Sequence, residues 1–208
     1  RASLEANYAL RTLVGPEHFS SGMSESEANL MTEIVEILRS GPSRSPSLSE
    51  VAMSDAVLVL GEDLMNTAPM MALALKQAVR NRSMEKVKGL GIPEWNDAFV
   101  RIAMQDEKGP LFIATPDSTG LDELAEVVFR AAPDDLARLG FAVAHAIDAD
   151  APEVTDIDGR LLSLADTIAP GLKDAKRPLI VCGAGCGSRA LIHSAANIAR
   201  ALGKTGKT

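Results

Sequence analysis

Three short apolar stretches, each followed by a turn of small residues, constrain the fold of this 208-residue chain most strongly. They cover residues 57–60, 111–114 and 179–182, and none of them alternates between apolar and polar side chains. Uninterrupted apolar runs of this length indicate β-strands that are buried on both faces, as in a parallel sheet between helices. The intervening segments are long enough for right-handed crossover connections. We therefore predict an α/β fold in which a parallel sheet is flanked by helices.

Helix signals occupy most of the remaining chain. Ser24 with Glu27, and Ser47 with Glu50, have the spacing of capping boxes that begin helices. Apolar periodicity, caps and breakers predict helices over residues 2–14, 24–40, 47–53, 67–81, 95–104, 121–131, 134–147, 158–169 and 188–202. Residues 83–94 are predicted to be turns and residues 148–156 an exposed connector. Because three strands make a thin sheet, we expect at least one further strand, either within these residues or from elsewhere in a longer protein.

The domain organisation follows from the same pattern. Residues 1–53 are predicted to be a helical lead-in, residues 54–203 an α/β dinucleotide-binding-like domain packed against it, and residues 204–208 a frayed tail. Hydrophobic residues make up 46% of the chain, which is enough to bury a core. Since the chain begins without Met, we expect it to be a piece of a longer protein.

Composition argues against several classes of partner. The net charge is −7, aromatic residues make up only 3%, and no basic stripe is present, so we expect no nucleic-acid partner. No long uncharged apolar segment occurs, so we expect no direct membrane insertion. The two cysteines, Cys182 and Cys186, share one turn. They do not form a disulfide framework, so we expect a reduced, cytosolic setting. Because a zinc or iron–sulfur site needs about four ligands, we expect no metal here.

A glycine-rich turn offers the clearest binding signal. The turn Gly183-Ala-Gly185-Cys-Gly187-Ser188 follows a strand and opens a helix, an arrangement that lets backbone N–H groups hold a phosphate. The dinucleotide fingerprint has Gly at the last of these positions, where this chain has Ser188. The alternative is a tight strand-to-helix turn that simply requires small residues.

Polar residues follow the other two strands. Carboxylates after the first strand could hold ribose hydroxyls or a metal, or could instead be solvated or begin the next helix. Hydroxyls and a carboxylate after the second strand could bind a nucleotide, or could cap a helix. The candidate cofactor-binding residues are Gly61, Glu62, Asp63, Thr115, Asp117, Gly183 and Gly185. We identify no Ser-His-Asp set and no pair of catalytic carboxylates, and predict no catalytic residue.

Longer stretches resemble a known family. Residues 7–13 and 54–69 resemble the molybdopterin oxidoreductase superfamily, where an aspartate, an apolar strand and Gly-Ser-Asn-Pro open a dinucleotide-like α/β domain. Within that superfamily, residues 91–97, 108–116 and 132–140 resemble the large iron–sulfur subunit of bacterial NADH:quinone oxidoreductase, respiratory complex I. The resemblance covers nearly the whole chain.

The resemblance implies a cofactor site that has degenerated. In the catalytic relatives the second strand typically ends in Asp-Pro-Arg, which helps to hold the guanosine of the pterin cofactor. Here the segment is Ala114-Thr-Pro116, with no Arg nearby, and Glu62-Asp63 replaces Ser-Asn. Two added negative charges would repel a pyrophosphate. The resemblance therefore implies a structural, non-catalytic fragment without a cofactor of its own, and iron–sulfur clusters elsewhere in the parent subunit.

The resemblance also implies a setting and leaves alternatives. The partners would be other subunits of the peripheral arm of complex I, on the cytoplasmic side of the bacterial inner membrane, and the complex would pass electrons from NADH to quinone. One alternative is a working half-site for molybdopterin guanine dinucleotide in a formate-dehydrogenase-like enzyme. Another is the central nucleotide-fold domain of a thiamine-diphosphate enzyme, which residues 177–185 resemble.

Overall fold

A single parallel sheet organises the described residues of the computed structural model, which are 3–41, 44–89, 110–155 and 157–206. Its strands are β1 (Ala56–Leu60), β2 (Leu111–Thr115), β3 (Val127–Arg130) and β4 (Pro178–Cys182). They lie in the order β3-β2-β1-β4, and every neighbouring pair is parallel. The predicted α/β fold is confirmed, and β1 and β2 are buried on both faces as expected.

Helices cover both faces of this sheet. They are α1 (Leu4–Val14), α2 (Glu25–Ser40), α3 (Leu48–Val51), α4 (Leu64–Thr67), α5 (Pro69–Gly89), α6 (Pro133–Ile147), α7 (Gly159–Asp174) and α8 (Arg189–Lys204). Successive side chains of a strand point to opposite faces. Leu58 and Leu60 accordingly pack with α6, α7 and α8, whereas Val57 and Val59 pack with α3, α4 and α5. Among the described residues, no helix is both long and apolar enough to cross a lipid bilayer.

The predicted helix over residues 121–131 is wrong. The chain instead forms a short 3-10 turn, Asp122–Leu124, and then strand β3, which pairs with β2. Val127, Val128 and Phe129 are β-branched or aromatic, so they favour an extended backbone over a helix. β3 is the additional strand that the thin sheet led us to expect.

Two helices continue beyond their predicted ends. Helix α5 reaches Gly89, so the turn prediction is wrong for residues 83–89, where helix-forming residues without Pro extend the helix. The turns predicted over 90–94 and the helix predicted over 95–104 lie outside the described residues. Helix α7 contains Pro170 and continues to Asp174. The buried residues Ile168 and Leu172 extend its apolar face across the proline, which offsets the lost backbone hydrogen bond.

Both predicted capping boxes are confirmed. The Ser24 and Ser47 hydroxyls accept the N–H groups of Glu27 and Glu50, and the two glutamates accept the serine N–H groups in return. At the other end of the chain, α8 ends at Lys204, whose ammonium lies 2.6 Å from Asp148. The division into a lead-in, an α/β domain and a tail stays a prediction.

Candidate functional site

The candidate residues come together at one edge of the sheet. Register pairs Leu60 with both Ala114 and Cys182, and Thr115 with Arg130, so the carboxyl ends of all four strands lie side by side. In open α/β sheets this edge is where ligands bind. We call the space between the turns that leave β1, β2 and β4 the strand-end crevice.

The turn after β1 depends on Gly61. Its φ is +73°, a backbone conformation that residues with a side chain rarely adopt. A Cβ at this position would lie 2.2 Å from Cδ2 of Leu191 in α8. Only glycine satisfies both demands, and the turn that it makes directs the following residue toward the glycine-rich turn after β4.

That following residue, Glu62, fills the space beneath the glycine-rich turn. Its side chain is buried, with 9% of the residue exposed, and Oε1 accepts the backbone N–H of Gly185 at 2.7 Å. A Cβ would lie 2.5 Å from Oε1 at Gly183 and 2.9 Å from it at Gly185. The two glycines therefore allow the turn to close on a carboxylate of the same chain.

The same carboxylate affects the two cysteines. Burial raises the pKa of the Cys182 thiol to about 12, and the negative charge of Glu62 adds to this rise. The pKa of Cys186 is also raised, first by burial and then by Glu62, and its thiol donates to the carbonyl of Gly61 at 2.9 Å. Both cysteines are free, and within the described ranges no three His, Cys, Asp or Glu side chains are grouped to hold a metal ion.

Asp63 has the role of a helix cap. Its carboxylate accepts the N–H of Met65 at 3.1 Å and the side-chain amide of Asn66 at 2.5 Å, at the start of α4. Of the two interpretations given above for this carboxylate, the geometry favours the start of a helix.

An arginine of β3, which is not among the candidate residues named from the sequence, contacts the end of β2. Arg130, at the end of β3, donates to the Thr115 hydroxyl at 2.6 Å and forms an ion pair with Asp122. The segment Ala114-Thr-Pro116 has no Arg nearby in the sequence, but the pairing of β3 with β2 brings Arg130 to it in the fold. Burial alone would raise the pKa of Asp122, but hydrogen bonds from Arg130 and Thr119 outweigh it and lower the pKa.

Thr115 and Asp117 are tied to each other. The Thr115 hydroxyl donates to the backbone carbonyl of Asp117 at 2.9 Å, while the Asp117 side chain is exposed. The Thr115 hydroxyl therefore already donates one hydrogen bond and accepts another within the chain.

Helix α8 begins beside the crevice and is joined there to α2. Its cap is Ser188, whose hydroxyl accepts the N–H of Leu191. In its first turns, Arg189 donates to both carboxylate oxygens of Glu33 at 2.8 and 2.9 Å, and Nε2 of His193 lies 2.5 Å from the same carboxylate. Hydrogen bonds from Arg189 and then His193 lower the pKa of Glu33 to about 2. We call this group the α2–α8 ion cluster.

Known proteins resemble this chain over almost all of its length, although no family model matches it. The G subunits of NADH-quinone oxidoreductase are 50% identical to it in Pseudomonas fluorescens, 47% in Pseudomonas putida and 43% in Escherichia coli. Each match covers 202 residues and 97% of this chain. The chain is homologous to part of the G subunit of NADH-quinone oxidoreductase. It spans only 22% of the length of these relatives.

This homology confirms the resemblance found in the sequence to the large subunit of complex I. The parallel sheet with helices on both faces is consistent with the molybdopterin oxidoreductase superfamily.

Proposed function

We propose that these residues form a structural, non-catalytic part of the large iron–sulfur subunit of an NADH-quinone oxidoreductase. In this role the chain supports electron transfer from NADH to quinone, while the iron–sulfur clusters lie in other parts of the polypeptide. Homology to the G subunit supports the assignment to the complex. The geometry of the strand-end crevice supports the non-catalytic role.

The main support for this proposal is the hydrogen bond between Glu62 and Gly185. A phosphate-binding turn offers its backbone N–H groups to the ligand. Here the N–H of Gly185 is donated to a buried carboxylate of the same chain. A pyrophosphate at this turn would have to displace that hydrogen bond. It would also face a like charge, which at 4 Å and an effective dielectric constant of 20 costs about 4 kcal/mol. These residues do not fit a dinucleotide.

The other side of the crevice supports the same proposal. The guanidinium of Arg130 is neutralised by Asp122, and the Thr115 hydroxyl is bonded to Arg130 and to a backbone carbonyl. Polar groups that could contact the guanosine of a pterin cofactor thus already satisfy one another. We infer that the strand-end crevice, including Gly61, Asp63, Asp117 and Gly183, no longer binds a cofactor.

The proposed partners are other subunits of the peripheral arm, on the cytoplasmic side of the bacterial inner membrane. Exposed apolar side chains on α1 support contacts with further protein. Leu4 and Leu13 are each 83% exposed and Tyr8 is 68% exposed, and α1 buries none of its residues here. A helix whose large apolar side chains are this exposed favours association with a further protein surface.

The experiment compares the whole complex carrying the native chain with one carrying Glu62→Gln. We expect no stoichiometric molybdenum and no guanine dinucleotide in either preparation, together with equal turnover of NADH with quinone. Glutamine retains the acceptor oxygen, so folding is preserved. Stoichiometric molybdenum would favour the working pterin half-site instead. A large loss of turnover in Glu62→Gln, with normal assembly and unchanged cluster spectra, would contradict the structural role.

A further inference from the structure

The free edge of β4 forms the floor of a groove. Within the described residues, β4 is paired with β1 on one side only, and it ends the strand order. All five β4 residues line a groove of about 580 Å³ along the other side. The walls come from α2, the residues around α3, and α8. We call this space the β4 groove.

The walls of the β4 groove are largely apolar. Ile34 and Ile37 of α2 face it from one side, and Ile192, Ala195 and Ala199 of α8 face it from another. An edge strand also presents backbone N–H and C=O groups that lack a strand partner. A floor of strand backbone between apolar walls matches the requirements of one more strand, whose backbone would pair with β4 and whose side chains would meet α8 and α3.

Chain topology indicates where the next strand belongs. Between β3 and β4 the chain crosses one face of the sheet through α6 and α7, and α8 packs on that same face. Crossovers between parallel strands are right-handed in about 98% of cases. A right-handed crossover that leaves β4 through α8 delivers the next parallel strand to the side of β4 away from β1, which is the β4 groove.

We propose that the β4 groove holds an extended segment of the same polypeptide, which follows α8 and adds a fifth parallel strand to the sheet. The relatives have further polypeptide outside the matched part, which is 22% of their length. Among the described residues that line the groove, three are arginines (Arg44, Arg177 and Arg200) and one is a carboxylate, Glu50, which is paired with Arg44. The segment is therefore apolar at its centre and has at least one acidic residue at its flank.

The test places a photo-reactive benzoylphenylalanine in the full-length protein within its complex. Arg200 is exposed and lines the β4 groove, so a probe there reaches the occupant without disturbing the core. Ala190 is exposed on the same helix and does not line the groove, so it serves as the matched control. After irradiation, mass spectrometry of the digested protein identifies the peptide joined to each probe.

The expected adduct joins position 200 to a peptide that follows residue 208 in the same polypeptide, and it is absent from the probe at 190. An adduct to another subunit, to a second copy of this chain, or to residues within the described part of the chain would overturn the proposal. A probe at position 200 that forms no adduct would overturn it as well, because the groove would then be open to solvent. Neither result depends on whether the strand-end crevice binds a cofactor.

Discussion

The strand-end crevice and the β4 groove lie on the same sheet, but they differ in whether their polar groups have partners within the chain. In the crevice, the chain satisfies its own donors: Glu62 accepts from Gly185, and Asp122 neutralises Arg130. In the groove, the outer edge of β4 has no strand partner among the described residues, and the walls are largely apolar. The crevice is closed by contacts within the chain, whereas the β4 groove has room for further polypeptide.

This difference suggests how a nucleotide-binding fold can serve as a scaffold. One buried carboxylate accepts the Gly185 N–H that a phosphate would otherwise meet, and the sheet need not change. An unpaired strand edge, by contrast, can be satisfied only by more polypeptide or by solvent. We infer that in this chain the free edge of β4 contacts further polypeptide, whereas the hydrogen bonds inside the crevice stabilise the fold.

Gly61→Ala should have the largest effect on the closed region. The substitution imposes a left-handed conformation on a residue with a Cβ and places that atom 2.2 Å from Leu191. We expect the free energy of unfolding to fall by about 3 kcal/mol, measured by chemical denaturation. Gly159→Ala is the control, because nothing lies within 4 Å of a Cβ there, and it should change stability by less than about 1 kcal/mol. Equal effects of the two would contradict the tight packing between β1 and α8.

Glu62→Ala should have the next largest effect. It leaves the Gly185 N–H without its acceptor and opens a cavity under the glycine-rich turn. We expect a loss of about 2 kcal/mol in the free energy of unfolding. Glu62→Gln keeps an acceptor oxygen of the same shape and should lose less than half as much. If the two variants are equally stable, the hydrogen bond to Gly185 does not hold the crevice closed.

Thiol reactivity provides a smaller and more local effect. The charge of Glu62 contributes to the raised pKa of Cys186, so Glu62→Gln should lower that pKa. Since the thiolate is the nucleophile, Cys186 should react faster with iodoacetamide at about pH 8 in the variant than in the native chain. Cys182 should stay slow in both, because burial is the main cause of its pKa of about 12. An unchanged rate at Cys186 would place the Glu62 charge away from the turn.

The smallest effect concerns the wall of the β4 groove. Glu33 has a pKa of about 2 in the folded chain, against an ordinary value of 4.5. Because the folded pKa is lowered, the ion cluster stabilises the docking of α2 fully above pH 4.5, and this contribution is lost as the pH falls toward 2. The protection of the α2 amides against hydrogen exchange should therefore decrease as the pH falls over this range. Protection here means how much slower the exchange is than in an unfolded chain at the same pH. Glu33→Gln should remove that dependence, whereas Glu36→Gln, on the exposed side of α2, should retain it.

Local signals in the sequence predicted much of the fold. The capping boxes at Ser24 and Ser47 and the apolar runs of β1 and β2 depend on neighbouring residues, and the structure confirms them. Strand β3 was missed because it has four residues and follows a segment rich in Leu, Ala and Glu. The run of Val127 to Phe129 was the signal that could have revealed it, because β-branched and aromatic residues in succession favour an extended backbone.

The closure of the crevice could not be predicted in the same way. Glu62 and Gly185 are 123 residues apart, and Arg130 reaches Thr115 only because β3 pairs with β2. The sequence places Glu62 and Gly185 at the same edge of the sheet. It does not reveal that one accepts a hydrogen bond from the other, because that contact depends on the register of β1 and β4.

A density map of the intact subunit, at a resolution that shows carboxylate oxygens, would reveal whether the strand-end crevice is closed by Glu62 or filled by a ligand. We expect the Glu62 carboxylate to lie within hydrogen-bonding distance of the Gly185 N–H, with no ordered ligand between the turns after β1, β2 and β4. A pterin or other dinucleotide lying across these turns, with Glu62 rotated out of the crevice, would contradict it.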